Sequence, residues 1–168
     1  MSIFRRLFPK KDERPKVEER TVFNLKINDF VTYDLEDYQV VGKLTYSDNG
    51  FTWHAYQLQA TDRSIWLSVE MDDELLLGIY EKCKLKLSEP IPKEIDYEGI
   101  KYYLDEKGTA RVSGIGRGQN VNGASCKYFQ FCDDEEEAYL SVEIWGSEVE
   151  VSKGYDIEEY ELKIIASN

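Results

Sequence analysis

The chain has 168 residues, of which 42% are hydrophobic and 13% aromatic, and its formal net charge at pH 7 is −12. This apolar fraction is too high for a disordered chain, and the length fits one domain, or two small ones, with a real core. So negative a charge excludes unaided binding to a nucleic-acid backbone. The acid excess is explained by a well-solvated surface, with basic protein partners as the alternative.

Residues 1–20 form a basic N-terminal tail of net charge +3, so the rest of the chain carries −15. Near its start, apolar residues share one face of a short helix and arginines lie beside them. The candidate docking residues are Phe4, Arg5, Arg6, Leu7 and Phe8. Two helical turns are too short to be stable alone in water. We expect either weak peripheral contact with a membrane or a partner's apolar groove, or a plain mobile terminus.

The next observations concern the cellular compartment. No apolar segment approaches the length of a transmembrane helix, and the N-terminus lacks the apolar core of a signal peptide. The three cysteines, Cys83, Cys126 and Cys132, are odd in number and have no disulfide-framework spacing. We therefore expect free thiols in a cytoplasmic protein.

Alternation of apolar and polar residues predicts five strands on each side of a proline pair. Pro90 and Pro92 indicate a linker at 90–96, between a first β repeat at 21–89 and a second at 97–168. The predicted strands lie near 30–35, 38–46, 51–60, 64–71, 83–87, 99–104, 109–116, 124–132, 138–145 and 159–165. Asn49-Gly50 and Asn122-Gly123 are typical of type I′ hairpin turns, because both residue types tolerate positive φ.

Short motifs recur across the linker. Tyr56-Gln57-Leu58 and Leu67-Ser68-Val69-Glu70 are matched 73 residues later by Phe129-Gln130-Phe131 and Leu140-Ser141-Val142-Glu143. Such an ordered series indicates internal duplication. The predicted fold is all-β, with two five-stranded SH3-like barrel units packed together, and a single ten-stranded barrel is the alternative.

Each half has a predicted hairpin with one apolar face and one face that carries an aromatic-Ser-Glu ladder. Centring the first hairpin on Asp62-Arg63 pairs Leu58 with Leu67, and the second pairs Phe131 with Leu140. The predicted core residues are Leu58, Leu67, Val69, Phe129, Phe131, Leu140 and Val142. The other face is expected to point outward as a binding surface, or else simply to stabilise the sheet. Its candidate binding residues are Trp53, Trp66, Ser68, Glu70, Tyr139, Ser141 and Glu143.

The sequence offers little for catalysis or metal binding. His54 is the sole imidazole, and one histidine with three dispersed cysteines cannot form an ordinary zinc site. The acidic loop 133–137 lacks the spacing of a calcium loop, and the glycines at 113–118 have no helix after them to bind phosphate. We therefore expect no catalytic residue, metal or cofactor. The alternative is an enzyme whose carboxylate pair, Glu70 and Glu143, shares a cleft with His54.

Several segments carry a family resemblance, which covers about residues 22–166. They include Asp29-Phe30-Val31-Thr32-Tyr33, Trp66-Leu67-Ser68-Val69-Glu70 and Tyr139-Leu140-Ser141-Val142-Glu143-Ile144-Trp145-Gly146. With these motifs the chain resembles a bacterial domain-of-unknown-function family, numbered four-one-seven-eight. The resemblance implies a soluble bacterial accessory domain, in some cases encoded near membrane-stress or polyamine-related genes. It brings no activity, substrate or catalytic residue.

Together these observations favour a non-catalytic cytoplasmic binding or scaffold module that has an unknown protein partner. The family resemblance implies that the module is accessory to a membrane-stress system. Besides the enzyme, one further alternative is an acidic mimic that occupies the phosphate site of a basic protein partner.

Overall fold

The computed structural model describes residues 18–168, so the candidate docking residues Phe4, Arg5, Arg6, Leu7 and Phe8 lie outside the described part. Within that part the chain forms eleven strands and two short 3-10 helices. The strands are β1 Phe30–Tyr33, β2 Glu36–Asp48, β3 Phe51–Gln59, β4 Ser64–Met71, β5 Leu75–Lys82, β6 Glu94–Tyr97, β7 Ile100–Gly116, β8 Ser125–Cys132, β9 Tyr139–Trp145, β10 Glu148–Ile157 and β11 Leu162–Ile165. The 3-10 helices are Arg117–Val121 and Glu159–Glu161.

Eight of these strands close into one antiparallel barrel. Their order is β2-β3-β4-β5-β10-β9-β8-β7, and β7 pairs again with β2, from Gly42 opposite Gly116 to Ser47 opposite Arg111. Strands β1 and β11 continue the sheet beyond β2, and β6 pairs with the first part of β7. The all-β prediction is confirmed. The prediction of two separate barrels is wrong, because each half supplies four strands to a shared barrel, and the ten-stranded alternative has two strands too many.

The observed strands differ from the predicted ones most near glycines and charged residues. β5 begins directly after the turn at 72–74 rather than at 83, and β10 and β6 were not predicted. Gly78 and Gly154 interrupt the apolar pattern of β5 and β10 because the ring of Tyr80 lies against both, where a Cβ would clash with it. β7 runs unbroken through the predicted gap at 105–108.

The two predicted hairpins, β3–β4 and β8–β9, differ from each other in strand register by two residues. In the first, Leu58 pairs with Ile65, so the predicted Leu58–Leu67 pair is wrong. The turn there is closed by the Ala60 N–H, which donates to the Arg63 carbonyl at 2.8 Å and places the hairpin centre one residue earlier. In the second, Phe131 pairs with Leu140 as predicted. A shift of two residues keeps every side chain on its predicted face, but the duplication itself stays a prediction.

The two Asn-Gly turns have different geometries. Asn49 and Gly50 have φ values of 48° and 85°, which confirms the type I′ turn between β2 and β3. Asn122 has φ −59° and ψ 126°, and Gly123 has φ 82°, so this turn is type II and the prediction is wrong. The chain enters it from the 3-10 helix, and the Asn122 side-chain oxygen accepts a hydrogen bond from the Gly114 N–H at 3.1 Å.

Two covering layers bury the outer face of the barrel. The segment before β1, together with β1 and β11, contributes to one cluster that includes Leu58, Leu67 and Val69. The segment between β5 and β7 covers a second cluster that includes Phe131, Leu140 and Val142. Six of the seven predicted core residues are buried, and Phe129 is partly buried against the second cluster. The ladder face of the same strands must therefore point into the barrel.

The three cysteines are free, and Cys126 is buried. Residues 18–168 contain no helix of the length and apolarity that a membrane crossing requires.

Candidate ligand cavity inside the barrel

The barrel encloses a cavity of about 500 Å³ to which all eight strands contribute side chains. Strand alternation turns every second residue inward, as in β4, where Trp66, Ser68 and Glu70 line the cavity. All the candidate binding residues lie in this lining: Trp53, Trp66, Ser68, Glu70, Tyr139, Ser141 and Glu143. Their predicted outward orientation is wrong, because closure of the sheet makes the ladder face the interior of a barrel.

Aromatic rings form one side of the cavity, the aromatic wall, which consists of Tyr46, Trp53, Trp66, Tyr128 and Trp145. Tyr46 and Trp53 stack with ring centroids 5.2 Å apart and planes 3° apart. Tyr128 meets Trp53 edge-on at 5.3 Å, and Trp145 lies 6.4 Å from Tyr46. These contacts hold large apolar surfaces in defined orientations beside the open space.

Glu143 lies against the aromatic wall. Its Oε2 accepts a hydrogen bond from the Tyr46 hydroxyl at 2.7 Å and another from the Cys126 thiol at 3.5 Å. Burial raises the pKa of Glu143 above its usual value, and these two hydrogen bonds oppose the rise without cancelling it. Glu150 adds to the rise, whereas Lys82 opposes it. Burial and the Glu143 charge also raise the pKa of the Cys126 thiol, so this cysteine stays protonated.

The raised pKa of Glu143 predicts a pH dependence of stability. A carboxyl that binds its proton more tightly in the folded state makes the free energy of unfolding fall as pH rises from about 4.5 through the folded pKa. Glu143→Gln, which can still accept both hydrogen bonds, should make this fall smaller. Urea titrations between pH 4.5 and 8 measure it, with Glu135→Gln on an exposed loop as the control. Equal pH slopes in Glu143→Gln and the wild type would contradict the assignment.

Carboxylates surround one end of the cavity, where the turns at 49–50 and 72–74 lie. This acidic rim consists of Glu70, Asp105, Glu106, Glu136 and Asp156. Burial raises the pKa of Glu70, and the charges of Glu106, Asp72 and Asp156 raise it further. The rim carboxylates thus act on one another electrostatically.

Tyr139 anchors part of the acidic rim. Its hydroxyl lies 2.9 Å from Asp156 Oδ2 and 2.7 Å from the carbonyl oxygen of Glu136, both of which can accept its hydrogen bond. This arrangement ties the loop before β9 to the end of β10. It also gives Tyr139, a candidate binding residue, a position at the cavity mouth.

The opposite end of the cavity holds an ion pair. The ammonium of Lys82, the last residue of β5, lies 2.9 Å from Glu150 Oε1. Both residues also line a second cavity of about 410 Å³, beside the 3-10 helix Arg117–Val121. Trp66 and Trp145 also line both cavities, so their side chains lie between the two.

A glutamine and a serine that the predicted pairing places opposite each other form a hydrogen bond in the second half only. Gln130 donates to the Ser141 hydroxyl at 3.0 Å on the cavity lining. In the first half Gln57 reaches Ser64 at 3.4 Å instead of Ser68, because the hairpin pairing is shifted by two residues. Among the described residues, the Ser68 hydroxyl therefore has no hydrogen-bond partner, and it is available to a molecule in the cavity.

The cavity brings Glu70 and Glu143 into one lining but does not include His54. His54 lies on the opposite face of β3, where its Nδ1 is 3.0 Å from the Thr45 hydroxyl. Burial and the charge of Lys43 lower the pKa of His54. Among residues 18–168 no group of three or more His, Cys, Asp or Glu side chains is arranged to hold a metal ion.

Several lining residues were not found by sequence reasoning. Tyr80 lies in β5, whose position was predicted wrongly, and Tyr46 was seen only as a member of a strand. Tyr128 was predicted on the ladder face opposite Glu143 but was not a candidate binding residue. Tyr128 does have a signal in the sequence, since it falls on the same face as Gln130 in the alternating pattern. The rim residues Asp105 and Glu106 fall in the predicted gap within β7.

With this geometry in hand, the chain can be compared with known families. A family model matches residues 26–159, from before β1 to just after β10. The chain belongs to the family described as Domain of unknown function (DUF4178). The DUF4178 match contains the eight barrel strands, the aromatic wall and the acidic rim. No curated protein and no solved structure matches the chain.

Proposed function

We propose that this DUF4178 domain is a non-catalytic binding module that holds a small organic ligand inside its barrel. The observation that supports the proposal is the cavity of about 500 Å³, lined by aromatic rings and a limited set of polar groups. Ligand pockets are typically concave, roughly 300–1,000 Å³ in volume, and lined in this way. Eight-stranded barrels are wide enough either to be filled by side chains or to hold one small ligand.

Small residues keep this barrel from being filled. Ser68 on β4 faces the lumen, and Ser141 lies opposite Ser152 on β9 and β10. The rings of the aromatic wall come from β2, β3, β4, β8 and β9, so large and small side chains share the lining. Because protein interiors are normally close-packed, so many small side chains at inward positions support a space kept for another molecule.

The expected protein partner at the aromatic residues and the alternative of an enzyme have weaker support. The candidate aromatic residues point inward, so a protein partner would reach them only at the cavity mouth. For the enzyme, Glu143 already accepts hydrogen bonds from Tyr46 and Cys126, and His54 lies outside the cavity. These contacts indicate that Glu143 holds the Tyr46 and Cys126 side chains in place, rather than transferring a proton to a substrate.

Ligand-observed saturation-transfer NMR tests the proposal with three probes of one shape. Choline, 3,3-dimethylbutan-1-ol and 3,3-dimethylbutanoate are positive, neutral and negative respectively. At least one should receive saturation from the wild type and from Ser147→Trp, whose residue lies in an exposed turn. Ser141→Trp should remove the signal by filling the cavity.

Folding of Ser141→Trp is checked by circular dichroism, and Ser152→Leu provides a second, smaller filling variant. If no probe receives saturation from the wild type, the proposal fails. It also fails if a folded filling variant binds the probes as well as the wild type does.

A further inference from the structure

We infer that the ligand of the barrel is an organic cation, which enters through the acidic rim and places its charged group against the aromatic wall. This inference rests on the proposed function, namely that the cavity holds a small ligand, and it adds the chemical class. Three properties of the lining support it: the sign of its charge, the lack of counter-ions at the rim, and its aromatic rings.

The charge of the lining is strongly one-sided. One lysine, Lys82, is the cationic residue among the lining residues, and its ammonium is bound to Glu150. The carboxylates are Glu70, Asp105, Glu106, Glu136, Glu143, Glu150 and Asp156. A cavity lined by one sign of charge concentrates ligands of the other sign and repels those of the same sign.

The rim carboxylates have no cationic partner in the described chain. None of the ion pairs formed within residues 18–168 includes Glu70, Asp105, Glu106, Glu136 or Asp156. The partly buried Glu70 therefore lies among like charges with no side-chain cation to offset them. A bound cation would relieve this repulsion, whereas an anionic or neutral ligand would not.

The aromatic wall favours an organic cation over a metal ion. Tyr46 and Trp53 are stacked, Tyr128 and Trp145 lie around them at an angle, and all four side chains line the cavity. Ring faces attract ammonium groups, and they also cover the apolar carbons that an organic cation carries. A metal ion would need oxygen, nitrogen or sulfur ligands converging on one point, and the described residues provide no such group of three.

The test compares the dissociation constants of choline and 3,3-dimethylbutan-1-ol, which differ in one quaternary nitrogen replaced by carbon. Amide chemical-shift titrations of the full chain measure both. Choline should bind about ten-fold more tightly than the alcohol, and 3,3-dimethylbutanoate should bind more weakly than either.

A pair of double variants assigns the preference to the rim. Glu70→Gln with Glu106→Gln should weaken choline binding several-fold and leave alcohol binding unchanged. The control, Asp62→Asn with Glu159→Gln, removes two exposed charges elsewhere and should keep the full preference. Equal binding of choline and the alcohol to the wild type would overturn the cation inference while the binding function stands. Equal weakening by both double variants would overturn the role of the rim, and binding of no probe would overturn the proposed function itself.

Discussion

Replacing Asp29 with alanine should lower the free energy of unfolding by about 3–5 kcal/mol. Asp29 is fully buried just before β1. Its carboxylate lies 2.8 Å from Arg20 Nε and accepts hydrogen bonds from the Lys26 N–H at 2.7 Å and the Ser167 N–H at 2.8 Å. Removing the carboxylate leaves a guanidinium and two backbone donors without their acceptor in a covered position.

The same contacts explain the acidity of Asp29. Burial alone would raise its pKa, but hydrogen bonds from Lys26 and Ser167, together with the charge of Arg20, outweigh burial and lower it. Arg20 and Ser167 come from opposite ends of the described chain. Loss of the Asp29 carboxylate should therefore loosen the layer that covers the outer face of the barrel. Urea denaturation at pH 7 measures the change. Asp62→Ala, in an exposed turn, should change stability by less than about 0.5 kcal/mol, and an equally small effect at Asp29 would contradict the prediction.

Truncating Leu67 to alanine should cost about 2–5 kcal/mol. Leu67 has no exposed surface, and it belongs to the cluster between the barrel wall and its first covering layer, with Val31, Tyr56 and Ile79. The loss combines the transfer free energy of the removed carbons with the cavity left among neighbours that are already close-packed. Denaturant titration of the variant gives the value directly.

Leu76 on the next strand provides the matched control, because 42% of its surface is exposed. Leu76→Ala should cost less than about 1 kcal/mol, since much of this side chain stays in water in the folded protein. A loss under about 1 kcal/mol for Leu67→Ala would mean that the outer face is not packed as described. The assignment of the ladder face to the interior would then lose its basis.

The division of the strands into two faces could be predicted from the sequence, because alternation is a local property. Leu67 and Leu140 were placed on one face, and Trp66 and Tyr139 on the other, and the structure keeps both assignments. Which face is interior could not be predicted in this way. Closure depends on pairings between distant segments, such as Gly42 with Gly116, for which no local pattern exists.

The site was harder to predict because a polar cavity lining and a solvent-facing sheet have the same alternating pattern. β10 shows this most clearly: Glu150, Ser152 and Asp156 face the lumen and alternate with Val149, Val151 and Ile157, as they would in a strand with one face in solvent. Tyr80 was missed because the adjoining glycines, which accommodate its ring, look like strand breakers. Only residues on correctly placed strands, such as Ser68 and Ser141, could be identified as candidates.

The central claim is that the ladder faces of both halves line one ligand cavity, and intermolecular nuclear Overhauser effects test it most directly. The experiment uses whichever of the three probes binds most tightly to the wild type. The account predicts contacts from the probe's methyl protons to ring protons of Trp53, Trp66 and Tyr139, two residues from the first half and one from the second. Contacts instead to the exposed rings of Phe23, Phe30 or Tyr160 on the outer surface would contradict it.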